Sequence, residues 1–410
     1  MTDRLNLWGA GPSARYDELI APYRPVLQNI AAGAVNRERE HVLPRDEIAA
    51  LKALGLPALR LPRELSGSGA TLPELFALLI ELSAADPNLT NAFRSHFGVV
   101  EDLLISRDQA WRDIWFSRIR DGQTFGSALS ETGGAALGRF GTTATRDGEH
   151  WRINGRKFYT TGSLYAEWLN LGVSLPDGSQ ARLVVPTDAE GVQIIDDWDG
   201  FGQQLSASGT IILTEVLASD EQFQPTSTRF LYSNGFFQTV HLATLAGIGR
   251  SAANEVATLL RNRKRVYGRG NASVASQDAQ LLAVIGEVRA AAYAAASITL
   301  TAAAALERAH QGILRDTDAS DLAQLRREAE FEVNQAVTVV TDLILKATTT
   351  LFDALGASAL LREHGLDRHW RNARTLCSHN PRIYHARIVG DWAVNGTEPV
   401  AHGGVGIASA

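Results

Sequence analysis

Cysteine is almost absent from this 410-residue chain, which contains a single one, Cys377. One thiol cannot form an internal disulfide, so the cysteine content gives no sign of an oxidising compartment. No apolar run approaches the roughly 20 residues that a membrane span needs. The first residues, MTDRLNLWGAGPSARYDEL, also lack the apolar core of a signal peptide. We therefore expect a cytoplasmic protein.

Two kinds of binding site also lack their usual signatures. The ten histidines and the cysteine show no metal-ligand spacing, such as HxxxH with a nearby acid, so no metal site is expected. The glycine-rich stretches GGAALG and GAGPSA do not lie between a strand and a helix, so no nicotinamide site of the Rossmann type is expected. A formal charge of -6 gives no reason to expect nucleic acid or an anionic membrane as a partner. These exclusions favour chemistry on a small molecule.

The periodicity of apolar residues changes along the chain. Over 1–122 they recur three and four apart, as in TLPELFALLIELSAADP, which predicts amphipathic helices. Over 123–225, short runs such as KFYTT and GTIILTEV alternate with turns such as INGRK and LPDGSQ, which predicts strands. Helices return over 226–410, where charged residues in an alanine-rich run argue against a membrane span. This order predicts an α+β fold with a site where the sheet meets the helices.

Two segments of the predicted β-domain resemble the flavin-binding core of the acyl-CoA dehydrogenase fold. They are TFGSALSETGGAALG, 124–138, and WRINGRKFYTTG, 151–162, where that family has TEPxxGSD-like and NGxKxWITN-like elements. The resemblance spans nearly the whole chain. It implies an N-terminal helical domain, a central β-barrel-like domain and a C-terminal four-helix bundle. It also implies that the flavin is bound by residues of these segments, namely Ser127, Leu129, Ser130, Tyr159 and Thr161.

The positions at which this family carries its catalytic base are changed. In acyl-CoA dehydrogenases, a glutamate in an RDxRxxxIYEGT-like segment removes the α-proton of a thioester substrate. The corresponding segment here is RNARTLCSHNPR, which puts Asn380 in the place of that glutamate, and an amide cannot accept a proton at neutral pH. Some members carry the glutamate on an earlier helix, where this chain has His241. Dehydrogenation of a thioester is therefore disfavoured.

The SHNP segment is instead similar to the end of the dibenzothiophene monooxygenase group, flavin-dependent oxygenases with the same fold. DDWDGFG places Trp198 where that group has a pocket tryptophan, and RSHFGVV supplies His96. The resemblance implies a two-component monooxygenase in which a C4a-hydroperoxyflavin oxygenates sulfur, amine nitrogen or an electron-rich aromatic carbon. We expect His379 to bind the peroxide and His96 to contact peroxide or substrate. Thr161 and Asn380 complete the predicted catalytic set.

Three positions depart from that group's pattern. Ser127 stands where its asparagine is expected, Tyr159 where a phenylalanine is, and Leu376 where a second histidine is. Because these residues line the predicted pocket, they bear on the substrate more than on the chemistry. The predicted walls Phe97, Tyr159 and Trp198 favour a small, largely apolar substrate.

The identity of the flavin is predicted from two later segments. The family's glycine cluster for the FAD diphosphate reads FDALGAS here and keeps only Gly356, which favours the shorter FMN. The loop KRVYGRG offers Lys264, Arg265 and Arg269 as phosphate partners. By resemblance, the flavin is shared between subunits of a homotetramer. Without a nicotinamide site, a separate NAD(P)H-dependent flavin reductase must supply reduced FMN.

Two alternatives stay open at this point. One is an acyl-CoA dehydrogenase or oxidase with FAD and a relocated base. The other is a catalytically silent flavin-fold protein that binds a ligand or a partner. Reduction of bound flavin by a thioester would indicate the first, and a lack of saturable FMN binding would indicate the second.

Overall fold

The N-terminal part of the protein is helical. The computed structural model describes residues 8–133, 139–225 and 229–399. Its N-terminal helices are α1 Tyr16–Ile20, α2 Arg24–Glu40, α3 Arg45–Ala53, α4 Leu72–Ala85, α5 Pro87–Ala92, α6 Arg94–Ile105 and α7 Gln109–Arg120. Helix α4 begins at a capping box, in which Thr71 and Glu74 each accept a hydrogen bond from the other's backbone N–H. It is buried on most faces, because it packs against helices of both the N-terminal and C-terminal parts.

The middle of the chain forms a curled, mixed sheet. Its strands are β1 Phe125–Ala128, β2 Thr143–Asp147, β3 His150–Lys157, β4 Trp168–Ser174, β5 Gln180–Pro186, β6 Val192–Ile195 and β7 Thr210–Ala218. They are hydrogen-bonded in the order β1-β4-β2-β3-β7-β6, and β5 also pairs with β4. Alternate residues of β4, Leu169, Leu171 and Val173, belong to the apolar core of this sheet. The end of the predicted flavin-binding loop, 134–138, lies outside the described residues.

Long helices make up the C-terminal part. They are α8 Ser233–Asn262, α9 Ala279–Leu314, α10 Ala319–Thr350, α11 Asp367–His379 and α12 Ile383–Asn395. Asp278 and Asp318 cap α9 and α10, because each carboxylate accepts hydrogen bonds from backbone N–H groups of the first turn. Small residues let these helices approach closely: a Cβ added to Gly249 of α8 would lie 3.0 Å from the Cβ of Ala292 in α9.

The expectation that no apolar run approaches the length of a membrane span is wrong for α9. This 36-residue helix is long and apolar enough to cross a membrane, with a mean hydropathy of 1.5 over its most apolar window. The run is dominated by alanine, whose modest hydropathy adds up over many residues. Although α8 and α10 pack against α9, only 22% of that window is buried within the protomer. The helix therefore leaves an apolar surface uncovered, on which Tyr293 is 52% exposed.

The three parts of the fold meet where loop 196–208 of the β-domain reaches the helices. The side-chain oxygen of Asn372 in α11 accepts a hydrogen bond from the backbone N–H of Gln203 at 2.6 Å. The side-chain oxygen of Asn88 in α5 accepts one from the N–H of Leu205 at 3.1 Å. Both amides are buried, so these contacts are shielded from water. The predicted three-part α+β fold is confirmed, and this junction positions the residues described next.

Candidate functional site

The two segments that resemble a flavin-binding core lie side by side. The backbone N–H of Ser127 in β1 donates to the carbonyl oxygen of Thr161 at 3.0 Å, and the N–H of Phe158 donates to the carbonyl oxygen of Ser130 at 3.0 Å. Leu129, between these contacts, is half-buried, and Ser130 is exposed. The structure thus brings the predicted ring-edge residues together at the end of β1. We call this group the ring-edge surface; it consists of Ser127, Leu129, Ser130, Tyr159 and Thr161.

A buried ion pair holds the ring-edge surface in place. The fully buried ammonium of Lys157, at the end of β3, pairs with the carboxylate of Glu131, which directly follows Ser130. Glu131 also accepts hydrogen bonds from Thr142 Oγ1 at 2.8 Å and from the backbone N–H of Gly141 at 2.6 Å. Burial opposes ionisation, yet Lys157 and these donors hold the pKa of Glu131 below its ordinary value. Burial lowers the pKa of Lys157 to about 8, which leaves the ammonium charged at neutral pH.

A chain of hydroxyl groups runs from Thr161 into loop 196–208. Thr161 Oγ1 lies 2.8 Å from Ser208 Oγ, which lies 2.8 Å from Ser206 Oγ, and Ser206 donates to the carbonyl oxygen of Gln203 at 2.7 Å. Because the Ser206 proton points to Gln203, the other two hydroxyls can donate in sequence toward Ser206. Thr161 Oγ1 is then left as an acceptor. Ser206 and Ser208 were not predicted, since serines in LSASGT look like ordinary turn residues.

Aromatic side chains border the ring-edge surface. Tyr159 has a φ of 58°, in the left-handed region that is unfavourable for a residue with a bulky side chain, and it is 48% exposed. Its ring lies 4.7 Å from that of Phe158 and 5.8 Å from that of Trp198. The Trp198 indole N–H donates to the carbonyl oxygen of Gly202 at 3.1 Å, which fixes the ring. Backbone strain such as that at Tyr159 persists most often at functional sites.

Two histidines from different helices meet near the end of α11. The rings of His241, in α8, and His379 lie 4.5 Å apart between centroids. His241 is buried, and within the described residues neither of its ring nitrogens has a hydrogen-bond partner. Burial first, and then Arg94 and His379, lower its pKa well below the ordinary value, so the ring is neutral. Asn380 is half-buried and directly follows His379, the last residue of α11.

Carboxylates that contact α11 are paired with cations. Glu255 accepts hydrogen bonds from Arg368 and, at 3.1 Å, from His369. Burial opposes its ionisation, but these two residues hold its pKa well below the ordinary value. Glu38 pairs with Arg371 at 2.8 Å. The lowered pKa makes Glu255 a poor base, so it does not replace the missing glutamate.

His96 is buried between α6 and the start of β1. Its Nε2–H donates to the carbonyl oxygen of Pro57 at 2.9 Å, and its ring stacks on Phe125 at 5.9 Å. Burial lowers its pKa to about 4, so the ring is neutral. Its Nδ1 has no hydrogen-bond partner in the described part of the chain, and the small cavity beside it reaches Gly162, next to Thr161. His96 remains a predicted site residue whose ring is held by packing.

The predicted phosphate partners lie far from the histidine pair within one protomer. Lys264, Arg265 and Arg269 are exposed in the loop that follows α8. At a rise of about 1.5 Å per residue, roughly 30 Å of α8 separate His241 from Asn262 at the end of the helix. An FMN molecule is too short to span that distance.

The two segments that were predicted to bind phosphate do lie next to each other. Arg263 donates to the carbonyl oxygen of Leu355 and, at 3.1 Å, to that of Arg265. Gly356 follows Leu355 with a φ of 59°, which glycine adopts without strain. Arg263 therefore joins the basic loop to the glycine segment and forms one exposed basic surface.

The ring-edge surface and the histidine pair fit a flavin. The ring needs hydrogen-bond partners along its edge and a flat wall, and Thr161 Oγ1, Tyr159 and Trp198 supply these. The two unsatisfied nitrogens of buried His241 are costly unless a ligand pairs with them. These residues therefore suit a planar ligand with a polar edge.

Comparison with known families agrees with this arrangement. Three models of one family match the chain in order: acyl-CoA dehydrogenase N-terminal domain at residues 23–123, middle domain at 126–216 and C-terminal domain at 239–381. The chain belongs to the acyl-CoA dehydrogenase family. The middle domain of this family contains the ring-edge surface, and the C-terminal domain contains the histidine pair.

Individual relatives within the family are monooxygenases by name. The chain is 26% identical over 391 residues to a probable FMNH2-dependent monooxygenase, SfnC, of Pseudomonas putida, covering 93% of this chain and 95% of the relative. It is 26% identical over 409 residues to the dibenzothiophene monooxygenase of Mycolicibacterium goodii, covering 95% and 96%. Among solved structures, TdsC from Paenibacillus sp. A11-2 in complex with FMN and indole matches with a TM-score of 0.85 and 26% identity, over 93% of this chain and 98% of that one.

Proposed function

We propose that this chain is the oxygenase component of a two-component monooxygenase. It uses O2 and reduced FMN from a separate NAD(P)H-dependent flavin reductase to oxygenate sulfur, amine nitrogen or an electron-rich aromatic carbon of a small substrate. The enzyme class and the cofactor, FMN, are supported by relatives named as FMNH2-dependent or dibenzothiophene monooxygenases and by the similar structure with bound FMN. The separate reductase is inferred because the sequence lacks a nicotinamide-binding signature.

The observation that carries this proposal is the pair formed by His241 and His379. The resemblance puts the dehydrogenase glutamate at Asn380 or at His241, and the structure places both positions beside His379. Removal of an α-proton requires a base, and neither an amide nor a buried neutral imidazole of strongly lowered pKa serves well. Hydrogen-bonding groups suit oxygen transfer, because they can hold the reacting oxygen; within one protomer His241 is buried and His379 is exposed.

The predicted residues of the ring-edge surface, together with Trp198 and His379, are assigned roles in this reaction. Bound reduced FMN supplies the two electrons with which O2 is activated. Thr161, as an acceptor oriented by Ser208, holds an N–H of the ring, while Tyr159 and Trp198 cover it. An imidazole N–H of His379 donates to the reacting oxygen. Ser127, Leu129 and Ser130, the remaining predicted residues of the ring-edge surface, would bind the polar edge of the ring beside Thr161.

Thr161→Val is expected to weaken the binding of reduced FMN about fivefold, because one neutral hydrogen bond contributes about 1 kcal/mol. Anaerobic titration of the protein with reduced FMN measures this. Thr145→Val is the matched control, since Thr145 is exposed on β2. If wild type binds neither reduced nor oxidised FMN saturably, the chain is a silent relative. If a thioester reduces the bound flavin, it is a dehydrogenase.

We also propose a homotetramer in which two subunits share each flavin. The basic surface formed by Lys264, Arg265, Arg269 and Gly356 is about 30 Å along α8 from the histidine pair of its own protomer. It therefore suits the phosphate of a flavin that is bound mainly by another copy. The uncovered apolar surface of α9 supports the same proposal, because apolar surfaces of this kind are usually buried by association.

Subunit mixing tests this sharing. One variant carries His379→Ala, and a second carries Lys264→Ala, Arg265→Ala and Arg269→Ala together. Each is expected to be inactive alone, whereas mixed oligomers refolded or coexpressed from both regain activity, because some sites combine an intact histidine with an intact basic loop. Lack of recovery in oligomers shown to be mixed would place the loop in its own protomer's site, or outside any site.

A further inference from the structure

Two arginines lie against Phe237, on the face of α8 that also carries His241. The guanidinium carbons of Arg94 and Arg229 each lie 4.7 Å from the centroid of the Phe237 ring. Phe237 and His241 are four residues apart, so their side chains project from one face of the helix. Arg94 is also close enough to act electrostatically on His241. The guanidinium group of Arg94 therefore lies near His241, and that of Arg229 packs on the same aromatic ring.

The position of Arg94 is unfavourable for an unpaired cation. Its hydrogen bond is from Nε to the carbonyl oxygen of Phe237 at 3.3 Å, and no carboxylate within 8–133, 139–225 and 229–399 forms an ion pair with it. Arg94 is the first residue of α6, where the helix dipole is positive. Burial, and then the neighbouring Arg229, lower its pKa to about 9. Burial, like charge and dipole all oppose the cation at this place.

Arg229 does not relieve the excess of positive charge. Its Nη2 lies 4.0 Å from the carboxylate of Asp102, which already accepts a hydrogen bond from Arg182 at 2.8 Å. Its Nη1 is buried and has no hydrogen-bond partner among the described residues. Together with the unsatisfied nitrogens of His241, which is only 4% exposed, the partly exposed side chains of Arg94 and Arg229 supply donors and positive charge around Phe237. A buried donor without a partner, next to two partly buried cations, is costly unless an anion binds there.

We propose that Arg94 and His241 bind the oxyanion group of an organic substrate, such as a sulfinate, sulfonate or carboxylate, beside Phe237. This inference rests on the proposed function and changes the substrate class: the aromatic walls favoured a largely apolar molecule, whereas this cluster requires an anionic group on it. A planar guanidinium pairs with two oxygens of one oxyanion at once, which a lysine ammonium cannot do. The apolar part of the substrate then packs on Phe237.

Calorimetric titration of the flavin-free protein tests the inference. The probes are butanesulfonate and butanoate, with 1-butanol as the neutral analogue. Both anions are expected to bind wild type, and the weaker of the two identifies the less suitable oxyanion. Arg94→Gln is expected to weaken anion binding roughly tenfold to a hundredfold, since a charged hydrogen-bonded pair is lost. The anion affinity of Arg94→Lys should lie between those of wild type and Arg94→Gln, because lysine keeps the charge but cannot pair with two oxygens at once.

Arg107→Gln is the matched control. Arg107 follows α6 closely in sequence, but its side chain is 92% exposed, so its replacement should leave anion affinity unchanged. Thermal unfolding verifies that each variant is folded. Without ligand, Arg94→Gln is expected to unfold at the same or a higher temperature than wild type, because it removes a partly buried charge that has no carboxylate partner among the described residues.

Two results would overturn the inference. One is equal affinity of wild type and Arg94→Gln for both anions, or binding of butanol as tight as that of the anions. The other is a loss of FMN binding in Arg94→Gln with unchanged riboflavin binding, which would assign Arg94 to the flavin phosphate. Because the anion titrations contain no flavin, a failure of wild type to bind FMN would refute the proposed function and leave the anion result standing.

Discussion

His379→Ala is expected to shorten the life of the flavin species that follows mixing of O2 with the protein and reduced FMN, by about a hundredfold. The imidazole lies 4.5 Å from neutral, buried His241, where the end of α11 meets α8. It is the residue of the pair best placed to donate a proton or a hydrogen bond to the reacting oxygen. Without it, reduced FMN should be reoxidised by O2, which is reduced to hydrogen peroxide, at nearly the rate of free flavin.

Rapid mixing with absorbance detection measures this lifetime, and a peroxidase-coupled assay measures the hydrogen peroxide released. Neither measurement needs the natural substrate. His150→Ala is the control, because His150 is exposed at the start of β3. His379→Gln should lose less than His379→Ala, since its amide can still donate. A lifetime unchanged in His379→Ala would remove this residue from the chemistry and leave His96 as the predicted histidine to test.

Sequence patterns were most informative where a structural feature is formed by residues that are neighbours in the chain. The ring-edge surface could be predicted because each of its two segments is continuous, and backbone hydrogen bonds from Ser127 to Thr161 and from Phe158 to Ser130 place them together. The three-part fold could also be predicted, because each helical or strand periodicity extends over a continuous part of the sequence. Lys157 was recognised only as part of a motif, and its partner Glu131 became visible in the structure.

Other parts of the candidate site depend on contacts between distant segments. The sequence shows His241 only as a position that lacks the family's glutamate. Its contact with His379 joins helices that are far apart in the sequence. Arg94 and Arg229 look like ordinary surface arginines in a sequence, because the sequence does not show that both guanidinium groups pack on the ring of Phe237. An apolar substrate was therefore expected from the aromatic residues alone.

Lys157→Met is expected to lower the free energy of unfolding by about 3–5 kcal/mol. The change leaves the carboxylate of Glu131, whose side chain is only 10% exposed, without its cation. Because Glu131 directly follows Ser130, the variant should also bind reduced FMN more weakly. Urea unfolding measures the stability, and Lys346→Met, at an exposed position on α10, is the control.

The pH dependence of this difference identifies its cause. The pKa of Glu131 is lowered in the folded protein, so its pairing stabilises the fold above the ordinary carboxyl pKa of about 4.3, and this contribution is lost as the pH falls through the lowered value. Wild type and Lys157→Met should thus differ most near neutral pH and converge in acid. The double variant Lys157→Met, Glu131→Leu should recover much of the lost stability, since no buried charge remains. A loss that persists in the double variant, or that does not change with pH, would show that packing around the Lys157 side chain, and not the ion pair, holds the ring-edge surface.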